Sequence, residues 1–451
     1  KVFLLFKQGI LICKYHLYYD FFLIMEDSWK KIGLREELEQ RGLLKQFSNE
    51  AFFDIYDKGG QTLYIWMDPS ADSLTIGNFA MFMTALQFMK RGNKLIFIIG
   101  GETGMIWDPG GKDAERNLLS AEVLEKNIAS IDKQVAFLLM NIKELSGIDC
   151  KYEIKNNHDF YKDMSFGDFL RKVGKYITVN TMIKKETVAK RIEDPDKSIS
   201  FTEFAYTLIQ GYDFVRLYED YGCKLQICGS DQRGNGVTGL ELIGKILGKT
   251  DAFVMTSPLI LDSNGKKFGK SEGNAVWLSE EKNSVYTAYQ FFMNVPDEDV
   301  SRFLKIYSLL DSMQIQEIQE KHNQHPEHRT GQKELAYRVC QIIFGTKSAD
   351  QAKKVSEFMF ADNKLELLQQ STSEEKKAIC REVGEFTYSE KASLLDALVE
   401  SGLCESRGDA KKLINQCDIS KERKTISDIG FELDPSNLLI QKWKKSMRII
   451  S

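Results

Sequence analysis

Thr62-Leu-Tyr-Ile-Trp-Met-Asp-Pro-Ser-Ala-Asp-Ser-Leu-Thr-Ile-Gly-Asn-Phe-Ala-Met81 is the stretch on which the fold turns. Its first six residues, Thr62 to Met67, are apolar and rich in β-favouring side chains, so they read as a short strand. Pro69, Ser70, Asp72 and Ser73 break the strand, and helical spacing runs from Ile76 towards Lys90. A strand that ends in a polar turn and a helix N-terminus gathers backbone N–H groups and partial positive charge at one spot, which suits a phosphate. Gly77, in the first helical turn, allows a flat or bulky ligand to lie against the backbone. Taken alone, the stretch is equally an ordinary strand-loop-helix; its neighbours tip the reading.

Working outward, Lys94-Leu-Ile-Phe-Ile-Ile-Gly-Gly101 is a continuous apolar run of the kind buried in a parallel sheet. A polar loop, Glu102 to Arg116, leaves its end, and helical spacing resumes over Ala121–Leu145. Tyr152–Asn157 reads as a strand, and residues 164 to 220 as helices joined by short turns. Leu225–Gln232 is a further strand with a polar exit, followed by a helix over Val237–Leu247. Phe253 to Leu261 closes the set before a Gly/Lys-rich loop, Asp262 to Gly273. Strands alternating with helices imply an α/β class with a doubly wound, Rossmann-like parallel sheet, whose ligands sit beyond the C-terminal ends of the strands. Upstream, Ser28 to Phe47 reads as a short amphipathic helix.

Composition bounds the function. At 451 residues the chain holds two or three domains. The net charge of −4 supplies no global basic field for nucleic acid, so RNA contacts must come from local patches. The 8 cysteines are scattered with no Cys-x-x-Cys pair, which points to a reducing, cytoplasmic setting. No uninterrupted run of about 18 apolar residues suggests a membrane span. Residues 1–27 are set apart as an N-terminal extension. The first methionine is Met25, and residues 1 to 24 are expected to lie upstream of the natural start. From about Glu280 the texture turns helical, and from Tyr388 a small mixed segment follows. That segment contains helices at Ser393–Ser401 and Ser406–Asn415, then short β-like pieces.

Three clusters carry chemistry. Tyr206, Gln210 and Asp213 recur at i, i+4 and i+7, on one face of a helix otherwise lined by Phe204, Leu208, Tyr212 and Phe214. A phenol, an amide and a carboxylate there are costly to bury without partners, so a small polar ligand is expected. Asp108, Lys112 and Arg116 recur at four-residue spacing, and two cations there can hold a polyphosphate, although a solvated charge run has the same appearance. Lys266-Lys-Phe-Gly-Lys-Ser271 places lysines on a glycine-hinged loop, suited to neutralising a developing pyrophosphate charge. It lacks the P-loop spacing. His322, His325 and His328 read as a surface helix and turn: Pro326 intervenes, and no acidic or cysteine pattern completes a metal site.

Together these motifs resemble the class I aminoacyl-tRNA synthetases. Thr75-Ile-Gly-Asn78 is similar to their HIGH signature, and Lys267-Phe-Gly-Lys-Ser271 to their KMSKS signature in its KFGKS form. Gly229-Ser-Asp-Gln-Arg-Gly-Asn235, Phe201-Thr-Glu-Phe-Ala-Tyr206 and Gly174-Lys-Tyr-Ile-Thr-Val-Asn180 narrow the resemblance to the bacterial type of tyrosyl-tRNA synthetase. It covers nearly everything from about Trp29 to the C-terminus.

What the resemblance implies is specific. Tyr64 and Asp213 would hold the substrate phenol, and Tyr206, Gln210 and Asp108 its ammonium. Asp68 and Gln232 would line the reacting end, and Gly229 and Asp231 the ribose. Thr75, Gly77, Asn78, Lys112, Arg116, Lys267, Lys270 and Ser271 would meet ATP and its phosphates. The expected partners are L-tyrosine, ATP with Mg2+, tRNA(Tyr) and a second copy of the chain, without a protein-bound metal site. The implied domains are 28–280, Rossmann-like and catalytic; 281–380, a helical anticodon-arm domain; and 388–451, a small α+β S4-like RNA-binding domain. Departures stand beside these matches: Thr75 for histidine, Trp66 for glycine, Met81 for a small polar residue and Arg233 for tryptophan. Two other readings compete, a synthetase-derived RNA-binding protein without catalysis and a tryptophan-charging relative.

Overall fold

A computed structural model describes residues 32–105, 119–185, 188–189, 192–194, 199–263, 265, 268, 270–271, 274–386, 393–416, 418–421, 424–431, 438–442 and 446–450. The N-terminal extension, Asp108, Lys112, Arg116 and Lys267 lie outside them. The side chains of Lys270 and Ser271 are also undescribed. The chain forms two compact units, Lys1–Ser284 with Phe291–Gly345, and Val285–Gln290 with Thr346–Ser451.

The first unit is built on a six-stranded sheet of β1 (Gln46–Phe47), β2 (Thr62–Met67), β3 (Lys94–Ile99), β4 (Tyr152–Asn156), β5 (Cys223–Gly229) and β6 (Phe253–Ser257), in spatial order β1-β6-β5-β2-β3-β4. The five strands from β2 to β6 run parallel, and β1 is an antiparallel edge. β1 lies where the sequence suggested only a helix; the helix there is Leu34–Gln40 and a second spans Ala51–Asp57. Two residues are too short for a period-2 pattern to register. The chain moves outward from β2 through β3 to β4, then returns to the far side of β2 for β5. The switch point, where ligands bind in such sheets, therefore lies between the C-terminal ends of β2 and β5.

Helix boundaries follow local chemistry. The Ile76–Met89 helix starts at a Thr75/Asn78 capping box, and the Phe201–Tyr221 helix at a Ser200/Glu203 box. The latter ends at Gly222, in the left-handed region at φ 61°. The Arg233–Leu247 helix starts four residues before the sequence reading because Gly234 and Gly236 hid its pattern. Gly236 and Gly239 on this helix have a purpose in packing. A methyl on Gly239 would meet Phe214 Cδ1 at 2.8 Å, so the Phe201–Tyr221 and Arg233–Leu247 helices approach closely only through glycine.

A buried charge cluster braces the same unit. Glu37 accepts from Arg91 at 2.7 Å and Arg41 at 3.2 Å, and lies 3.4 Å from Lys90. Arg41 also donates to the carbonyls of Lys305 and Leu310, both at 2.9 Å, tying the sheet's flank to the helix pair Asp297–Tyr307 and Ser312–Gln324.

In the second unit, helices Thr346–Phe360, Lys364–Gln370 and Ser373–Val383 precede a five-stranded sheet and helices Leu394–Glu400 and Arg407–Asn415. The segment Glu385–Phe386, which carried no strand signal, pairs parallel to Ser446–Ile450. Leu394, Leu398, Leu413, Ile414, Ile419 and Ile440 form a core there.

Candidate functional site

The switch point carries two adjoining environments, one open and one closed. The open one is a cavity of about 380 Å³ lined by Trp66, Thr75, Gly77, Asn78, Met81, Gly229, Asp231, Pro258 and Phe268, among others. Three of the expected nucleotide residues, Thr75, Gly77 and Asn78 after β2, therefore converge with Gly229 and Asp231 after β5. A methyl on Gly77 would touch only Thr75 Oγ1, at 3.6 Å, so this turn offers bare backbone to the cavity.

At the head of the Ile76–Met89 helix the Thr75 hydroxyl donates to Asn78 Oδ1 at 2.7 Å, and the Thr75 N–H to the same oxygen at 2.9 Å. The Ile76 N–H is taken by the Val276 carbonyl at 3.0 Å, and the Asn78 N–H reaches Thr75 Oγ1 at 3.5 Å. The helix terminus thus offers fewer amides to an anion than the sequence alone suggests. The strand-like passage Val276–Leu278 that caps it follows directly on the Lys/Gly loop, with Leu278 donating to the Leu74 carbonyl at 2.9 Å. Phe268, within that loop, packs tilted at 34° against Phe303 with ring centroids 4.0 Å apart and contacts Phe291, Phe292 and Tyr307. Phe268 is therefore anchored by an aromatic cluster, and it lines the cavity together with Ile260 before the loop and Ala275 after it.

The closed environment lies between β2 and the Phe201–Tyr221 helix. Tyr64 and Trp66, two apart on β2, face the same way. Tyr64 packs edge-on against Phe214, and Trp66 edge-on against Tyr206. Tyr206, Gln210 and Asp213 do share one helix face, all buried against the sheet. Tyr206 OH lies 3.5 Å from Asp68 Oδ2, which joins this group to the end of β2. Gln232, at the exit of β5, accepts from Asn235 Nδ2 at 2.9 Å, and Asn235 in turn accepts from Thr207.

Asp213 is 0 % exposed and accepts three hydrogen bonds: Tyr161 OH at 2.7 Å on Oδ1, and Asn157 Nδ2 at 3.0 Å and Trp66 Nε1 at 3.2 Å on Oδ2. Burial pushes its carboxyl up to about 7, and the three donors pull the other way. Burial likewise drives the Tyr64 phenol well above its ordinary value, so it stays protonated. Two polar atoms here, Tyr64 OH and Gln210 Oε1, are buried without a hydrogen-bond partner among the described residues. Orphans of this kind are rare in folded proteins and are expected where a ligand completes the set. The arrangement can bind a small aromatic molecule carrying a hydroxyl.

Asn157 and Tyr161 escaped the sequence reading. Their signal was the polar exit of a strand, Asn156-Asn-His158 after β4, the same feature that marked the ends of β2, β3 and β5. Among the described residues one His/Glu group has metal-ligand spacing, and it corrects the histidine reading. His325, Glu327 and His328 gather on an exposed turn, so an acidic residue does accompany them, whereas His322 is buried at 2 % exposure rather than on the surface.

Comparison with known proteins follows the same lines. The family described as tRNA synthetases class I (W and Y) matches residues 58–361. A tyrosine–tRNA ligase of Streptococcus gordonii is 40% identical over 407 residues, spanning 90% of this chain and 94% of that one. The C-terminally truncated mitochondrial tyrosyl-tRNA synthetase of Aspergillus nidulans superposes with a TM-score of 0.66 at 28% identity, over 74% of this chain and 99% of that chain. Its counterpart from Coccidioides posadasii gives 0.64 at 26% identity, over 76% and 99%. Among the described residues no helix is long and apolar enough to cross a membrane.

Proposed function

The chain belongs to the class I tRNA synthetases of the tryptophan and tyrosine group, and from that premise we infer that it is a tyrosine–tRNA ligase. It activates L-tyrosine with ATP and transfers the product to tRNA(Tyr). The observation that carries the amino-acid assignment is the buried pair Tyr64 and Asp213. One has an orphaned hydroxyl and the other a carboxylate already ringed by donors, on the same side of β2. A phenolic substrate can give its proton to Asp213 and accept from Tyr64. Phenylalanine can do neither and leaves both groups unpaired, a selectivity for which this family is itself the usual example.

The chemistry then asks mainly for placement. A carboxylate oxygen of tyrosine attacks the α-phosphorus of ATP, the bond to the β-phosphate oxygen breaks, and pyrophosphate leaves. A hydroxyl of the terminal tRNA adenosine next attacks the tyrosyl carbonyl carbon, releasing AMP. Gln210 and Tyr206, with Asp108, are assigned to the ammonium, and Asp68 and Gln232 to the reacting end. Gly229 and Asp231 are assigned to the ribose. Thr75, Asn78, Lys112, Arg116, Lys267 and Lys270, with the Ser271 loop, are assigned to the phosphates, where positive charge offsets what develops on the departing pyrophosphate. Magnesium accompanies ATP as its counter-ion. We further assign 281–380 to the tRNA anticodon arm and 388–451 to an S4-like RNA contact, in a cytoplasmic homodimer.

Amino-acid-dependent exchange of labelled pyrophosphate into ATP, run over the twenty amino acids, tests the reading. Exchange with tyrosine alone supports it. Exchange with tryptophan alone supports the related ligase, and none from folded protein supports an RNA-binding descendant.

A further inference from the structure

Trp66 stands between the two environments. On one side it lines the 380 Å³ nucleotide cavity, and on the other its indole Nε1 donates to Asp213 Oδ2 at 3.2 Å. The groups behind it are sealed: Tyr64, Tyr206 and Asp213 are each 0 % exposed and Gln210 is 2 % exposed, while Trp66 itself is only partly buried. No ligand can reach the orphaned Tyr64 hydroxyl and Gln210 Oε1 without something moving aside. The backbone behind the ring leaves it no retreat, because a methyl on Gly100 would already meet Trp66 Cζ2 at 2.9 Å and Cη2 at 3.0 Å. The edge-on contact with Tyr206 closes a further side. Among the described residues, these contacts leave the ring the direction of the open cavity that it lines.

We propose that Trp66 is a gate over the phenol pocket, latched by its indole N–H on Asp213, that swings toward the nucleotide cavity to admit tyrosine. This rests on the tyrosine assignment above and extends it. In the latched state the N–H holds a carboxylate oxygen that the substrate phenol needs to approach. Binding is then weakened by the fraction of molecules in which the gate is shut. The gate also couples the sites: an indole turned outward enters the space where the nucleotide binds, so tyrosine and ATP affinities depend on one another.

The test uses the full chain with Trp66→Phe, which keeps most of the ring but removes the N–H, and Trp66→Gly, which removes the gate. Tyrosine titration is followed by calorimetry without ATP and by tryptophan fluorescence, alongside pyrophosphate exchange. The gate predicts that W66F binds tyrosine roughly tenfold more tightly than wild type, the population of open molecules having risen by that factor. It also predicts that the tyrosine-induced fluorescence change of wild type disappears in W66F, with the effect appearing in KM for tyrosine far more than in kcat. If Trp66 merely holds Asp213 in place, W66F binds tyrosine more weakly, and that result overturns the proposal. Equal affinity in W66F, with wild-type melting, overturns it as well. Should wild type catalyse tyrosine-dependent exchange while W66F binds no better, the gate alone fails. If neither wild type nor W66G binds tyrosine, the ligase reading fails and takes the gate with it.

Discussion

The Tyr161 hydroxyl lies 2.7 Å from Asp213 Oδ1 and 2.6 Å from the carbonyl of Ile209, one turn back on the same helix. A side chain from the segment after β4 thus fixes the orientation of a carboxylate on the Phe201–Tyr221 helix. It also stabilises the ionised form, opposing the burial that raises Asp213 to about 7. Ionised Asp213 accepts from the substrate phenol; protonated Asp213 loses one of those acceptor sites. KM for tyrosine therefore rises as pH falls below about 7. Tyr161→Phe removes a donor to the charged form, so the rise begins at higher pH. A profile for Y161F that coincides with wild type would falsify the role given to this contact.

Tyr64→Phe separates stability from binding. The hydroxyl it removes is buried without a partner, and such groups cost about 1–3 kcal/mol. The variant is expected to match or exceed wild type in urea denaturation. Its KM for tyrosine should nevertheless rise about tenfold or more, because the pocket's donor to the phenol is gone. Selectivity over phenylalanine should fall in parallel, as read by exchange with each amino acid.

Thr75 has two duties in one side chain. It caps the Ile76–Met89 helix through the reciprocal contacts with Asn78, and it faces the cavity assigned to ATP. Thr75→Ala is expected to lose about 1 kcal/mol of stability, and to slow exchange. Thr75→Ser restores the stability. Asn78→Ala breaks the same box, so the stability loss of the double alanine variant should be smaller than the sum of the single losses.

Glu37 tests the brace beneath the sheet. Burial alone would raise its carboxyl, yet Lys90, Arg41 and Arg91 hold it at about 2, below an ordinary value of 4.5. A carboxylate depressed in this way contributes stability that is fully present above about pH 4.5 and lost as pH falls towards about 2. Glu37→Gln leaves Lys90 and Arg41 without their anion, while Arg91 keeps Asp57 at 2.6 Å, and is expected to cost about 3–5 kcal/mol at neutral pH. It should also flatten the acid limb of the stability curve over that window. Unchanged acid denaturation in the variant would assign the limb to other carboxylates.

The α/β class, the alternation of strands and helices and the polar exits of the strands were all legible in the residues alone. These depend on local periodicity and turn chemistry, which short windows of residues carry. The sequence also placed Tyr206, Gln210 and Asp213 on one face, since helical geometry alone fixes that relation. Tertiary structure decided what the faces meet. Only the order β1-β6-β5-β2-β3-β4 puts the ends of β2 and β5 side by side and makes one site of residues more than a hundred positions apart. Only packing reveals that Asn157, Tyr161 and Trp66 converge on Asp213, because each hydrogen bond spans more than fifty positions and leaves no mark on its own neighbourhood. Trp66 shows the division most plainly. In the sequence it is one large residue in an apolar strand, and the fold turns its N–H onto a buried carboxylate and its ring toward the cavity.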